Sequence, residues 1–167
     1  IAAPKISPEP LIRLARKPTV MVVGMGPAGL FSALQLAESG AQVTLIERGK
    51  PVAERLQDVL NFWQKRQFDG ESNIQFGEGG AGTFSDGKLT SRLNDPLMRR
   101  VLETLVRFGA PEEILWQAKP HVGSDRLRAV LVNFRQYLLK LGVEIRFSTK
   151  LTAVRQQQGQ VCAAELN

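Results

Sequence analysis

The sequence predicts an α/β domain built on a parallel sheet, and two observations carry this prediction. A continuous apolar run at residues 19–23 ends at a glycine and leads at once into a helical pattern, which is typical of a strand buried on both faces of a parallel sheet. A second strand, Gln42–Glu47, completes a strand–helix–strand unit of about 30 residues. A three-layer arrangement of helices around this sheet follows, with a β-hairpin layer near the C-terminus.

The helices are predicted from apolar spacing and capping residues. The first spans Pro27–Ser39 and stops at a glycine that suits a left-handed cap, and the second spans Pro51–Gln67. The third has Asp95 as its cap and Pro96 at its first position, and ends at Gly109. Their predicted buried positions are Leu30, Ala33, Leu34 and Ala37 in the first helix, Val52, Leu56, Val59, Leu60 and Trp63 in the second, and Leu97, Val101, Leu102 and Leu105 in the third.

The last third of the chain predicts one more helix and three strands. The helix opens at Ser124 or Asp125 and runs to Leu141. The predicted strands are Val143–Phe147, which extends the parallel sheet, and the two arms of an antiparallel hairpin, Leu151–Gln156 and Val161–Leu166.

The chain divides into a leader and one domain. Residues 1–18 contain four prolines and are predicted to be a leader or linker. Residues 19–167 form the predicted domain, with a glycine-rich insertion at 70–93. Because the chain does not begin with Met, we expect it to be a piece of a longer protein.

Composition excludes several classes of protein. The 167 residues are 43% hydrophobic and 23% charged, which is typical of a soluble globular chain and excludes disorder, collagen and a disulfide scaffold. The single cysteine, Cys162, is compatible with a reducing compartment, so we expect a cytoplasmic location. The longest weakly polar run, at 19–36, is interrupted by glycines and a proline, and no membrane span is predicted.

The net charge of +6 raises the question of a nucleic-acid partner. The leader alone holds four basic residues against one acidic residue, and the other basic residues are spread along helices without interleaved aromatic side chains. A solvated basic surface is therefore favoured over a nucleic-acid site.

The strongest motif is the run GMGPAG between the first strand and the first helix. Gly24 permits the tight turn, Gly26 lets a pyrophosphate approach the backbone, and Gly29 lets the helix pack closely on the strand. Pro27 has no N–H, so the N–H groups of Ala28 and the following glycine are expected to bind phosphate at the positive end of the helix dipole.

Glu47, at the end of the second strand, is expected to accept hydrogen bonds from both hydroxyls of an adenosine ribose. Its charge would repel a 2′-phosphate, which disfavours NADP. The alternative is a glycine-rich turn packed without a ligand. The motif leaves FAD and NAD open, although the helix and long loop after the second strand are unusual for a nicotinamide dehydrogenase.

A second glycine-rich run, FGEGGAGTFSDGKL, occupies residues 76–89 and holds five of the 15 glycines. Its N–H groups can cradle phosphate or wrap a planar ring, and Thr83 and Ser85 add hydroxyl groups. A mobile surface loop is the alternative. The apolar residues Phe76, Phe84 and Leu89 argue against full exposure.

Three segments together resemble a known family: VVGMGPAGLFSALQLAESGAQVTLIERG, ESNIQFGEGGAGTFSDGKLTSR and GAPEEILWQAKPHVGSDRLR. They are similar to bacterial FAD-dependent dehydrogenases whose Rossmann-like FAD-binding domain is of the glutathione-reductase type. The likeness covers nearly all of the chain from residue 19 onward. It implies FAD as cofactor, and a domain that is incomplete at its C-terminus, since members of this family continue into a further strand.

The resemblance also implies positions for the FAD contacts. Gly24, Gly26, Pro27, Ala28 and Gly29 would bind the pyrophosphate, Glu47 the ribose, and Arg48 would lie beside the adenosine end. Gly79, Gly80, Ala81, Gly82, Thr83, Phe84 and Ser85 would run along the FAD, and the backbone of Leu151 would meet the adenine edge.

No catalytic residue is assigned from the sequence. His121 can act as an acid or base near a flavin, but a loop histidine that positions the next helix is favoured. Lys88 can stabilise a reduced flavin, but a solvated lysine is favoured. The lone Cys162 excludes a paired-cysteine redox centre within the chain, and no metal site is expected.

These observations predict the FAD-binding part of a flavoprotein oxidoreductase of the dehydrogenase type. Its partner would be a small-molecule substrate or electron donor, with no membrane and no nucleic acid. The alternatives are an NAD-binding dehydrogenase domain, a nucleotide- or RNA-linked binding module without its own catalysis, and a truncated product without activity.

Overall fold

The structure of the protein is a computed structural model that describes residues 13–89, 95 and 97–167. Three sequence predictions lie outside these residues: leader positions 1–12, the end of the glycine-rich insertion at 90–93, and Pro96.

A parallel sheet of three strands forms the centre of the fold, as predicted. Its strands are β1 (Thr19–Val23), β2 (Gln42–Ile46) and β3 (Glu144–Arg146), in the order β1-β2-β3. Val22 pairs with Leu45, and Leu45 pairs with Ile145 on its other side. Because the strands are parallel, β1 and β2 end at the same edge of the sheet, where the first glycine-rich run follows β1 and Glu47 follows β2.

Four helices follow the predicted order, with ends that differ by a few residues. They are α1 (Pro27–Glu38), α2 (Val52–Lys65), α3 (Leu97–Arg107) and α4 (Ser124–Lys140). Asp95 caps α3 as predicted, since its Oδ1 accepts a hydrogen bond from the Leu97 N–H at 2.8 Å. Two short 3₁₀ turns were not predicted, Ala81–Phe84 and Glu112–Leu115.

The predicted hairpin is present as a separate antiparallel pair, β4 (Leu151–Gln157) and β5 (Gln160–Leu166). Its first residue pairs with its last, Leu151 with Leu166. Most of its side chains are exposed. None of the helices in the described part of the chain is long and apolar enough to cross a membrane.

The core lies between α1, α4 and one face of the sheet. Phe134 of α4 is its aromatic centre, with the Phe31 ring edge-on at 5.5 Å and the Phe108 ring at 4.4 Å between centroids. Buried residues that surround it include Leu30, Ala33, Leu34, Val43, Leu45, Val130, Leu131 and Leu138.

Three residues that were predicted to be buried are exposed. β1 was expected to be buried on both faces, but Val23 is 54% exposed, because the described residues cover only one face of this edge strand. In α2, Val52 and Val59 are buried as predicted, but Trp63 is 49% exposed and Arg55 is buried instead. In α3, Leu97 is 56% exposed and no residue is fully buried, since this helix packs on the core through half-buried side chains.

Candidate dinucleotide-binding site

The turn after β1 depends on two glycines for its shape. Gly24 has φ +93°, a left-handed conformation that other residues rarely adopt, and its N–H donates to the Ile46 carbonyl at 2.8 Å. A Cβ at Gly29 would overlap the Gly24 carbonyl oxygen. The turn and the first turn of α1 are therefore in direct backbone contact, which only glycine at position 29 permits.

Gly26 lies against the second glycine-rich run. A Cβ built on Gly26 would have one neighbour within 4 Å, the Cα of Gly80 at 3.9 Å. A Cβ on Gly80 would lie 3.2 Å from the Gly26 Cα. The Gly79 N–H donates to the Met25 carbonyl at 2.8 Å. The structure thus brings together two glycine-rich runs that are some 50 residues apart in sequence.

The N-terminus of α1 presents free N–H groups at this junction. Gly26 is the N-cap in extended conformation, and its carbonyl accepts the first hydrogen bond, from the Leu30 N–H at 3.0 Å. Pro27 has no N–H. The N–H groups of Ala28 and Gly29 remain at the positive end of the helix dipole, where an anion is stabilised.

Glu47 follows β2 and is buried, with three backbone N–H groups around its carboxylate. Its Oε2 accepts from Met25 at 2.7 Å, and its Oε1 accepts from Gly49 at 2.8 Å and from Gly77 at 3.0 Å. A carboxylate has about four acceptor positions, so one remains, on Oε2. The predicted contact of Glu47 with the ribose hydroxyls stays a prediction.

The stretch that leads into the second glycine-rich run is held by its own side chains. Asp69 accepts hydrogen bonds from the N–H groups of Glu71 at 2.9 Å and Ser72 at 3.1 Å, which lowers its pKa. Asn73 accepts from the N–H of Gln75 at 2.8 Å and donates to the Asp69 carbonyl at 2.8 Å. These hydrogen bonds link residues 69–75 to one another just before the second glycine-rich run.

Arg55, on α2, binds both this stretch and the start of the run that follows it. Its side chain is 0% exposed and donates to three backbone carbonyls, those of Asn73, Ile74 and Glu78, each at 2.7 Å. Burial lowers its pKa to about 10, although the charges of Glu47 and Glu78 oppose this shift. The guanidinium therefore remains charged at neutral pH.

Glu78 is a second buried charge beside Arg55. Its Oε2 accepts from the Val52 N–H at 2.7 Å and lies 3.3 Å from Arg135 Nη1. Burial raises the pKa of Glu78. Glu78 Oε1 and Arg135 Nε are buried without a hydrogen-bond partner among the described residues. The sequence analysis gave no role to Arg55, Glu78 or Arg135. Charged residues on a helix, such as Arg55 and Arg135, usually mark a solvated face, and Glu78 lies between two glycines of the second run.

The C-terminal end of the run, at residues 88–89, forms a backbone pairing with residues 120–121, which precede α4. Lys88 and His121 form an antiparallel bridge, and the Leu89 N–H donates to the Pro120 carbonyl at 2.8 Å. The His121 ring is hydrogen-bonded to the Asp86 carbonyl. The histidine thus joins the run to this segment, and its role in positioning the next helix stays a prediction.

Two predicted hydroxyl groups are engaged within the run. Thr83 is buried and its Oγ1 donates to the Glu78 carbonyl at 3.2 Å, while Ser85 Oγ donates to the Gly82 carbonyl at 2.7 Å. Ala81 and Gly82 are exposed. Phe84 is half-buried, with its ring 4.9 Å from the Arg55 guanidinium carbon.

Arg48 lies beside Glu47 on the surface. Its guanidinium carbon is 4.0 Å from the centroid of the Phe76 ring, and its Nη2 is 2.6 Å from Glu71 Oε2. Lys150, next to Leu151, is 3.2 Å from the other oxygen of Glu71. The two cations lower the pKa of Glu71, mainly through the Arg48 hydrogen bond. Glu71 thereby links the residue after Glu47 to the start of the hairpin.

Comparison with known proteins indicates which cofactor this chain binds. Residues 17–56, which include the turn, α1, β2 and Glu47, match a family described as an FAD binding domain. The cofactor is FAD. The predicted cofactor is thereby confirmed.

A relative in Clostridium beijerinckii, described as an uncharacterized protein, is 45% identical over 147 residues. The match covers 88% of this chain and 28% of the relative, so the chain spans under a third of its length. In structure, the chain is similar to THI4 of Thermovibrio ammonificans, with a TM-score of 0.52, 19% identity, and coverage of 90% of this chain and 47% of that chain. It is also similar to the L-amino acid deaminase of Proteus vulgaris, with a TM-score of 0.51, 15% identity, and coverage of 92% and 45%. These similarities confirm the predicted α/β fold.

The residues present fit FAD. The α1 N-terminus supplies two N–H groups for phosphate, no side chain fills the space beside Gly26, and Glu47 keeps one acceptor position. An acidic residue at this position disfavours a phosphate on the ribose.

Proposed function

We propose that this chain is the FAD-binding part of a flavin-dependent oxidoreductase of the dehydrogenase type, with a domain of the glutathione-reductase type. One observation carries the proposal: Glu47 holds both glycine-rich runs at once, through the N–H groups of Met25 and Gly77. The two runs converge at the N-terminus of α1, where phosphate binding is favoured.

This geometry supports the phosphate and ribose contacts that we propose. The N–H groups of Ala28 and Gly29 bind the pyrophosphate, which approaches past Gly26, and Oε2 of Glu47 accepts a ribose hydroxyl. Arg48 and the backbone of Leu151 lie at the adenosine end. In the second run, the exposed residues Ala81 and Gly82 face the cofactor. The neighbouring residues of this run form the surface that carries them: Gly79, Gly80, Thr83, Phe84 and Ser85. Bound FAD supplies redox chemistry through its isoalloxazine ring, which accepts a hydride or electrons.

The charge distribution supports a small-molecule partner over a nucleic acid. Several of the basic residues on the helices are paired with carboxylates, as in Arg99 with Glu103 at 2.7 Å and Arg107 with Glu38 at 3.1 Å. Paired cations have less capacity to neutralise a phosphate backbone. We further propose a cytoplasmic location.

The test compares FAD retention in the wild type and in Gly26→Ala. Gly26 has φ −73°, which alanine adopts without strain, and its Cβ would have no neighbour closer than 3.9 Å. The unliganded fold is therefore expected to remain, while the added methyl group obstructs the pyrophosphate. Gly70→Ala is the matched control, since its Cβ would have no neighbour within 4 Å and it lies outside the proposed contacts.

The readouts are the visible absorption spectrum of the purified protein and the mass of the small molecule released on denaturation. We expect flavin bands and released FAD from the wild type and from Gly70→Ala, and at least tenfold less bound FAD per protein in Gly26→Ala. Released NAD would contradict the proposal, and so would a Gly26→Ala variant that retains FAD as tightly as the wild type.

A further inference from the structure

One buried side chain, that of Arg55, binds the start of the second glycine-rich run and the residues before it. All three donor nitrogens of Arg55 are used on backbone carbonyls of this run or of the residues that lead into it, at Asn73, Ile74 and Glu78. A planar guanidinium can serve three carbonyls at once because its N–H groups form a rigid fork. Few other side chains can satisfy this set of acceptors.

The held residues are the neighbours of those that reach the turn after β1. Gly77, which donates to Glu47, and Gly79, which donates to Met25, flank Glu78. Gly80 then contacts Gly26. A shift of the Glu78 carbonyl would move all of these contacts, because one residue spans less than 4 Å of chain.

The packing of Arg55 against Gly77 is close. A Cβ on Gly77 would overlap Arg55 Cδ and lie 2.9 Å from Nε. Glycine at position 77 therefore makes room for the arginine as well as providing its φ of +121°. The arginine and the glycine form one fitted contact between α2 and the run.

From these contacts we infer that Arg55 is a positioning residue for FAD: it holds the second glycine-rich run against the N-terminus of α1 before the cofactor binds. The inference rests on the proposed FAD site. Arg55 itself is enclosed by protein and acts through the carbonyls that it binds. Because the run is already ordered, less conformational entropy is lost when FAD binds.

The first experiment needs no variant. Hydrogen exchange of the wild type without FAD is expected to show strong protection of the Gly77 and Gly79 amides, which donate to Glu47 and Met25. Exchange of these amides at the rate of an unstructured peptide would overturn the inference, because the run would then not be held before FAD binds.

The second experiment measures the FAD dissociation constant and the visible circular dichroism of bound FAD, at a temperature where all the variants are folded. Arg55→Lys retains a charge but loses the planar fork, and Gly77→Ala displaces the arginine from the other side. We expect each to raise the dissociation constant at least tenfold and to change the dichroism of bound FAD.

Two controls separate positioning from loss of stability. Gly40→Ala also replaces a glycine at positive φ (+96°), but its Cβ would have no neighbour within 4 Å. Val59→Ala removes buried volume from the same helix as Arg55. Both are expected to lower thermal stability and to leave the dissociation constant within twofold of the wild type.

The outcomes are distinct. Arg55→Lys and Gly77→Ala with wild-type affinity, or Val59→Ala with an equal loss of affinity, would overturn the positioning role. A wild type that does not bind FAD would contradict the proposed function instead.

Discussion

The Glu47 carboxylate and the Met25 backbone N–H are joined by a hydrogen bond of 2.7 Å. This bond connects the end of β2 to the turn after β1. In the same carboxylate, Oε1 accepts from Gly77 in the second glycine-rich run. Glu47 therefore has a structural task in the unliganded protein besides its proposed contact with ribose.

Glu47→Gln is expected to destabilise the unliganded protein. Three N–H groups face the carboxylate, and an amide presents one oxygen and two N–H donors, so at least one bond to a charged acceptor is lost. Such a loss costs about 1.5–3 kcal/mol in the free energy of unfolding. Urea titration without FAD measures it, with Glu54→Gln on the exposed side of α2 as control. A change below about 0.5 kcal/mol would be within the range of ordinary surface substitutions and would contradict the bonding described.

Gly29→Ala and Gly82→Ala are expected to behave in opposite ways in the unliganded protein. The first places a methyl group on the Gly24 carbonyl oxygen, and overpacking of this kind costs about 1–3 kcal/mol. The second meets no atom within 4 Å, so its cost is about 0.5 kcal/mol or less. Thermal unfolding without FAD distinguishes them, and equal melting temperatures would refute the close contact between turn and helix.

Phe134→Ala is expected to cost about 3–5 kcal/mol in the free energy of unfolding, the usual range for a buried aromatic residue. Phe134 is 1% exposed and contacts the rings of Phe31 and Phe108. Phe68→Ala is the control, since this ring is 67% exposed. Chemical denaturation of both variants measures the difference, and similar midpoints would show that Phe134 is not central to the core.

Glu78 is expected to give the protein a pH dependence above pH 4.5. Burial raises its pKa in the folded protein above the ordinary 4.5, so on raising the pH the unfolded chain releases this proton first. Stability relative to Glu78→Gln therefore falls as the pH rises from 4.5 through the folded pKa. The carboxylates with lowered pKa, such as Asp69, act in the opposite direction and only below their ordinary values. Urea titrations of the wild type and Glu78→Gln at several pH values measure this difference, and a difference independent of pH would contradict it.

Sequence reasoning predicted the elements that depend on local patterns. The apolar run of β1, the glycine after α1 and the Asp95 cap act over a few residues, and each predicted element is present within a few residues of its expected ends. The sequence also predicted a tight turn at Gly24 and close backbone packing at Gly29, and both are present in the structure. The bounds of these elements follow from contacts that a single segment of chain makes with itself.

The rest of the site depends on contacts between distant segments, which no single pattern encodes. Arg55 occupies a helix position like any surface arginine, and only the carbonyls of residues 73–78 make its burial favourable. In the same way, the sequence shows both glycine-rich runs, but it does not show that Gly26 and Gly80 are in contact. Exposure of Val23 also depends on which layers cover the sheet, beyond the apolar run itself.

The spacing of the three donors to Glu47 has a consequence for the order of folding. They lie 22, 2 and 30 positions from Glu47 along the chain, at Met25, Gly49 and Gly77. Two of them require loops of more than 20 residues to close, and closure entropy delays such contacts until the intervening helices are formed. FAD binding can therefore report on a late step of folding. We expect its signal to appear only after the strand–helix–strand unit and α2 have assembled. Added FAD is expected to have no effect on the rate of the earlier collapse.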